Sequence, residues 1–222
     1  LKNIITNRPL LAVILANFFN SFKSVGGSSE SYFWLNNTGS LLNQTICGLF
    51  TGIPNYIMVP VAAKMVKKWG ARATSIIAGL FGFFAYMTLF FVGFHPFGQT
   101  FKDHYIFNLI WVIFGLTICG LPNKILNVSG QIVTAEALDY MEWKHGLRNE
   151  ALVTTVQGYF GKLATSVTGW LSGMVLTWIN YVPLTDSLGN AIPQTDPTML
   201  NGIWAIFCIL PALARGLYGV SF

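Results

Sequence analysis

Read for hydrophobic and polar positions alone, the chain consists of long apolar runs separated by short polar breaks, without the period-two alternation of half-exposed strands. Six runs stand out, at about 9–36, 41–66, 73–94, 105–135, 151–181 and 199–217. Each is long enough to cross a bilayer, whose hydrocarbon core takes about 20 helical residues. Several exceed one bilayer thickness, so tilt or helical extension beyond it is expected. An outer-membrane barrel would instead show alternating segments of about ten residues. The pattern predicts an all-α membrane protein of six transmembrane helices, with residues 182–197, rich in Pro183, Gly189, Pro193 and Pro197, as an irregular surface connection.

Polar residues inside these runs recur at helical spacing. Asn20, Lys23, Gly27 and Glu30 fall at i, i+3, i+7 and i+10 on one face of the first run, widened by Asn17, Ser21, Ser24, Ser28 and Ser31. Gln44, Gly48, Thr51 and Asn55 stripe the second, with Pro54 as an expected kink. Lys124, Asn127 and Gln131 stripe the fourth, and Gly158, Lys162, Thr165 and Gly169 the fifth, with Gln157 and Gly161 alongside. The pairs Gly48/Gly52 and Gly169/Gly173 read as seams where helices approach closely. Four spans with inward polar stripes predict a bundle around a hydrated pathway.

Composition sharpens this. Charged residues make up 9% of the 222, against about 25% in soluble domains. With 53% hydrophobic residues and a mean hydropathy of +0.56, that excludes a disordered tail, a nucleic-acid arm, a secreted disulfide scaffold and an ordinary cytosolic enzyme. The net charge of +5 is explained by topology. With the N-terminus inside, the inner segments hold Lys2, Arg8, Lys64, Lys67, Lys68, Arg72, Lys144, Arg148 and Arg215, and the outer ones only Lys102. Both termini are therefore expected in the cytoplasm.

Lys23, Lys124 and Lys162 lie within spans, where a charge costs at least about 2.5–3.5 kcal/mol unless it faces a cavity or a partner. Cys47, Cys119 and Cys208 lack CxxC or metal-ligand spacing and read as small buried hydrophobes. With no nucleophile–base pair, phosphate-binding loop or metal cluster in the sequence, no enzymatic activity, cofactor or nucleic-acid partner is expected. The densest charged stretch, Glu136, Asp139, Glu142, Lys144, Arg148 and Glu150, reads as the inner connection between spans four and five. Its mixed signs suit an ion-pair network that locks one conformation and opens in another.

That stretch also carries a resemblance. Ala135-Glu136-Ala137-Leu138-Asp139-Tyr140-Met141-Glu142-Trp143-Lys144, then Arg148-Asn149-Glu150, Val156-Gln157 and Lys162, resembles the glycoside–pentoside–hexuronide:cation symporters, the melibiose-permease branch of the major facilitator superfamily. The family pattern is approximately A-D-x-x-D-Y-G-E-[WY]-K-x-x-x-R-x-E, and the match runs without a gap over about 28 residues. Lys67-Lys68-Trp69-Gly70-Ala71-Arg72 is similar to the superfamily's inner loop between helices eight and nine. Three positions depart: Glu136 replaces the usual aspartate, Met141 the usual glycine, and Asn127 an aromatic sugar-contacting residue of the melibiose permease.

The resemblance implies that the six spans are helices seven to twelve, one half of a major facilitator bundle with a 3+3 repeat, and that the N-terminal half is absent from this chain. It implies that Gln157, Gly158, Gly161 and Lys162 line a sugar cavity, to which the polar stripes add Asn127, Lys124 and Asn20. It further implies that Asp139, Glu142 and Arg148, with Glu136 and Glu150 beside them, form a cytoplasmic gate. The expected function is cation-coupled symport of a sugar or glycoside by alternating access in a bacterial plasma (inner) membrane. The coupling Na⁺ or H⁺ would bind mainly in the other half. The alternatives are transport of lysophospholipids by a relative of the same superfamily, and a non-transporting membrane sensor or assembly subunit.

Overall fold

The computed structural model describes residues 7–92, 104–146, 150–185, 191–193 and 196–222. Among the described residues seven helices follow one another: α1 (Arg8–Ser21), α2 (Lys23–Thr38), α3 (Leu42–Trp69), α4 (Ala71–Val92), α5 (Tyr105–His145), α6 (Glu150–Trp178) and α7 (Pro197–Val220). The helix starts follow from local chemistry. Asn7 caps α1 by accepting from the Leu10 N–H at 3.2 Å, with Pro9 in the first turn, and Asp196 caps α7 by accepting from Thr198 at 2.9 Å.

The first run is two helices rather than one. At Phe22 the ladder tightens to i→i+3 bonds, Phe22 N–H to Phe19 and Val25 N–H to Phe22. The Ser21 hydroxyl donates back to the Asn17 carbonyl at 3.0 Å and the Ser24 hydroxyl to the Ser21 carbonyl at 2.6 Å. Serine hydroxyls competing for backbone carbonyls, just before Gly26 and Gly27, leave the helix weakest there.

One boundary moves. The fourth run does not stop at 135: α5 continues for 41 residues, about 60 Å at 1.5 Å per residue and roughly twice the hydrocarbon thickness, before Gly146 ends it with a left-handed φ of 65°. Glu136, Asp139, Glu142 and Lys144 therefore lie on a helical extension, not in a loop. Met141, at the position of the family glycine, makes no turn. It is buried in a cluster with Leu10, Ile14, Ala137 and Val153 that ties α1, α5 and α6 together at one end.

Five segments, Arg8–Thr38, Leu42–Trp69, Ala71–Val92, Tyr105–Lys144 and Pro197–Val220, are long and apolar enough to cross a membrane. The fifth expected span, α6, has 29 residues but is not among them, since Gln157, Lys162 and a series of Ser, Thr and Gly dilute its apolar content. Within the 182–197 connection, Leu184 pairs with Ile192 and Thr185 with Ala191 in a two-residue antiparallel ribbon.

The bundle is organised around α7, which packs on α4, α2 and α1 and buries Ile203, Trp204, Phe207, Cys208, Ala212 and Tyr218. Phe207 stacks on Phe33 of α2 at 4.9 Å with the rings 4° from parallel, and Trp204 lies 5.3 Å from the same ring. All three cysteines are buried, as the sequence led one to expect. Truncating Phe207 to alanine is expected to cost about 3–5 kcal/mol, read as a lower midpoint in a thermal unfolding scan of detergent-solubilised protein.

The glycine seams fall elsewhere than expected. A Cβ on Gly48, Gly52, Gly169 or Gly173 would meet nothing within 4 Å. Close approach occurs instead at Gly79, whose Cβ would sit 2.8 Å from the Gly219 Cα, and at Gly26, where it would sit 2.5 Å from the Pro211 ring. Spacing marks residues able to form a seam, but only the placement of a neighbour selects which ones do.

Candidate functional site

Where α1, α5, α6 and α7 converge, a cleft of about 360 Å³ opens, lined by Asn17, Asn20, Asn127, Gln131, Thr134 and Gln157 among its polar residues, with Tyr218 at its wall. The polar faces of α1 and α5 thus meet in space. Asn17 and Asn20 come from the last turns of α1, while Asn127, Gln131 and Thr134 come from successive turns of α5 beyond Pro122. Five amides in one concavity offer both donors and acceptors, the inventory that reads hydroxyl groups. The Gln157 Nε2 is buried and has no hydrogen-bond partner among the described residues. A buried donor left open beside a cleft is uncommon and calls for a partner.

Of the residues expected to bind substrate, Asn20, Asn127 and Gln157 share this cleft. Gly161 lines a narrower adjoining space of about 60 Å³ together with Asn17, Ser21 and Gln157. Lys124 does not point there, because its ammonium lies 4.9 Å from the centre of the Tyr56 ring on α3, a cation–π contact. Gly158 and Lys162 are exposed on a face of α6 left open by the other described residues. Among the described residues α6 packs chiefly on α1 and α2, with Val153 joining Ala137 and Met141 of α5 and Val175 joining Ile206 of α7.

Glu136, Asp139 and Glu142 project as exposed residues from the extension of α5, and Glu150 begins α6, where its charge favours the helix dipole. Arg148 lies outside the described residues, as do Lys2 and Lys102.

Arg215 corrects the sequence reading. Counted above as an inner-surface cation, it is instead 1% exposed in the middle of the bundle. Its Nη1 donates to the Asn20 Oδ1 at 2.7 Å, while Nε and Nη2 are buried without a partner among the described residues. Without it the positive-inside count becomes eight against one, so the charge asymmetry survives. Its position near the chain's end disguised it. The usable signal was register: Arg215 continues the 3–4 spacing of Trp204, Phe207, Pro211 and Tyr218, the buried stripe of α7.

Comparison with known proteins agrees with this anatomy. A family model described as MFS/sugar transport protein matches residues 1–217. The chain is 30% identical over 217 residues to the uncharacterized symporter YjmB of Bacillus subtilis (strain 168), covering 97% of this chain and 43% of that protein. It is 23% identical over 224 residues to the isoprimeverose transporter of Lactiplantibacillus pentosus, covering 100% and 42% respectively. A shorter match, 36% over 89 residues, is to a putative sulfoquinovose importer of Escherichia coli (strain K12), covering 37% of this chain and 18% of that protein. The chain spans less than half the length of these relatives.

Proposed function

Because the chain belongs to the MFS/sugar transport family, we propose that it forms the C-terminal six-helix half of a secondary active transporter that carries a sugar or glycoside together with Na⁺ or H⁺. Such transporters place substrate near the bilayer midplane between two halves that rock around it. The observation that carries the reading is the cleft of converging amides, with the Gln157 donor unpartnered at its edge.

Lys162 supports the same arrangement. It lies twelve residues beyond Glu150, about 18 Å along α6 and hence near mid-bilayer depth. An exposed lysine facing lipid at that depth would cost about 2.5–3.5 kcal/mol or more, so its face calls for a cover of protein or water. An N-terminal six-helix half would supply that cover, with the substrate pathway between. The coupling cation would bind mainly in that half. The basic residues Arg8, Lys67, Lys68, Arg72 and Lys144 flank helix ends that the alternating course of the chain brings to one side, which favours cytoplasmic termini. The acidic residues on the α5 extension, with Glu150 and Arg148, would then form the inner gate.

The test is radiolabelled uptake by the intact transporter in proteoliposomes, across a panel of glycosides and uronides, with and without Na⁺ and proton gradients. Gradient-dependent accumulation of a sugar supports the reading, and no accumulation of any sugar by folded protein removes it. Within that assay, Gln157→Leu is expected to reduce uptake by about tenfold or more, the loss of one buried hydrogen bond to substrate. Its melting temperature should be unchanged or raised, because the buried amide nitrogen it removes has no partner among the described residues. A parallel loss of stability would mean that Gln157 serves the bundle instead.

A further inference from the structure

A second cavity, of about 210 Å³, is lined by Arg215, the donor to Asn20, and by Lys23, Glu30, Tyr86 and Asn123 among others. Two cations and one carboxylate face this space. The Lys23 ammonium donates to the Asn123 Oδ1 at 3.2 Å, and Glu30 accepts from the Trp34 indole at 3.4 Å. Among the described residues neither cation lies within ion-pair distance of Glu30. Two guanidinium nitrogens of Arg215 therefore remain buried and unpartnered beside a cavity that carries one excess positive charge.

A buried guanidinium with open N–H groups is costly unless something completes it. Its planar fork matches the paired oxygens of an oxyanion. The space is kept open by small residues. Gly27 lines the cavity with nothing within 4 Å of a would-be Cβ, while Gly26 one position earlier lets α2 press on Pro211 of α7. Asn20 lines the amide cleft and accepts from Arg215, which lines the second cavity. An amide-lined cleft is thus joined to a cationic pocket by a single hydrogen bond, from Arg215 to Asn20.

We infer that Arg215, seconded by Lys23, forms a subsite for an oxyanion substituent, so that the substrate is an acidic sugar bearing a carboxylate or sulfonate, whose hydroxyls are read by the amides of the neighbouring cleft. This rests on the sugar-transport reading above and narrows it. Net charge supports a monoanion, because two cations less one carboxylate leave one charge to neutralise. A purely structural role, with Arg215 clamping α1 to α7 through Asn20, would leave acidic and neutral sugars equally affected by its removal.

The experiment compares three radiolabelled probes, glucuronate, 6-deoxy-6-sulfoglucose and methyl glucoside, in proteoliposomes of the intact transporter. One acidic probe should half-saturate uptake at a concentration about tenfold or more below that of methyl glucoside, the scale of a charge-assisted hydrogen bond. Arg215→Gln should collapse that ratio toward one, and Lys23→Gln should reduce it in part. Which acid is preferred distinguishes the carboxylate from the sulfonate. If Arg215→Gln does not fold, the wild-type ratio and Lys23→Gln decide. Equal or better use of methyl glucoside by the wild type overturns the inference while leaving sugar transport standing, and so does an acid-to-neutral ratio that neither variant moves. Uptake of none of the three, and of no other sugar, overturns both.

Discussion

Lys162→Ala is expected to lower substrate uptake by about 100-fold or more while leaving expression and thermal stability at wild-type levels. The ammonium has no hydrogen-bond or ion-pair partner among the described residues, and the side chain is exposed on α6. Removing it therefore takes nothing from the packing of this half. A hydrogen bond to a charged group is worth about 1.5–3 kcal/mol, or up to roughly 100-fold in binding, and the lysine's charge would also help hold the pathway hydrated. Uptake assays beside thermal unfolding of the same preparation check both halves of the statement. Wild-type uptake would take Lys162 out of the pathway. Loss of uptake with an equal loss of stability would assign it to contact between halves rather than to substrate.

Gly79→Leu should prevent the bundle from assembling, and even Gly79→Ala should lower its melting temperature. A Cβ at this position of α4 would lie 2.8 Å from the Gly219 Cα, 2.9 Å from its nitrogen and 3.0 Å from the Arg215 carbonyl oxygen. All three are backbone atoms, so no rotamer change relieves the clash and α7 must shift away from α4. Adding methylenes to a filled core costs about 1–3 kcal/mol and sometimes more, and here the obstacle is a rigid helix. Moving α7 would also displace Arg215 from Asn20. Size-exclusion chromatography of the solubilised variants should show Gly79→Leu as aggregate. Gly48→Ala, where a Cβ meets nothing within 4 Å, should elute as wild type. A monodisperse, active Gly79→Leu would show that the α4–α7 contact is looser than drawn.

Much of the architecture was legible in the chain. Helical membrane spans follow from apolar runs too long for any strand, because backbone amides in hydrocarbon must be satisfied within the segment. The polar stripes of α1 and α5 do converge, and Asn20, Asn127 and Gln157 meet in one cleft. Caps were also written locally, in Asn7-Arg8-Pro9 and Asp196-Pro197. The break at Phe22 and the extension of α5 to His145 were harder to see. Each depends on a balance of weak local terms, serine hydroxyls against backbone in one case and helix propensity of a charged segment in the other.

The sequence by itself determined the class of protein, the number and order of apolar segments, and which residue types share a helical face, since these depend only on contacts within a turn or on transfer from water to lipid. The tertiary structure alone decided which faces meet. It turned Lys124 to Tyr56 rather than to the cleft, left Gly169 and Gly173 open while closing Gly79 on Gly219, and carried Arg215 from an apparent surface into the core. Periodicity states what lies on a face but not what lies opposite it. In a bundle where lipid and helix are equally apolar, the partner of a face is chosen by shape and by the pairing of a few buried polar groups.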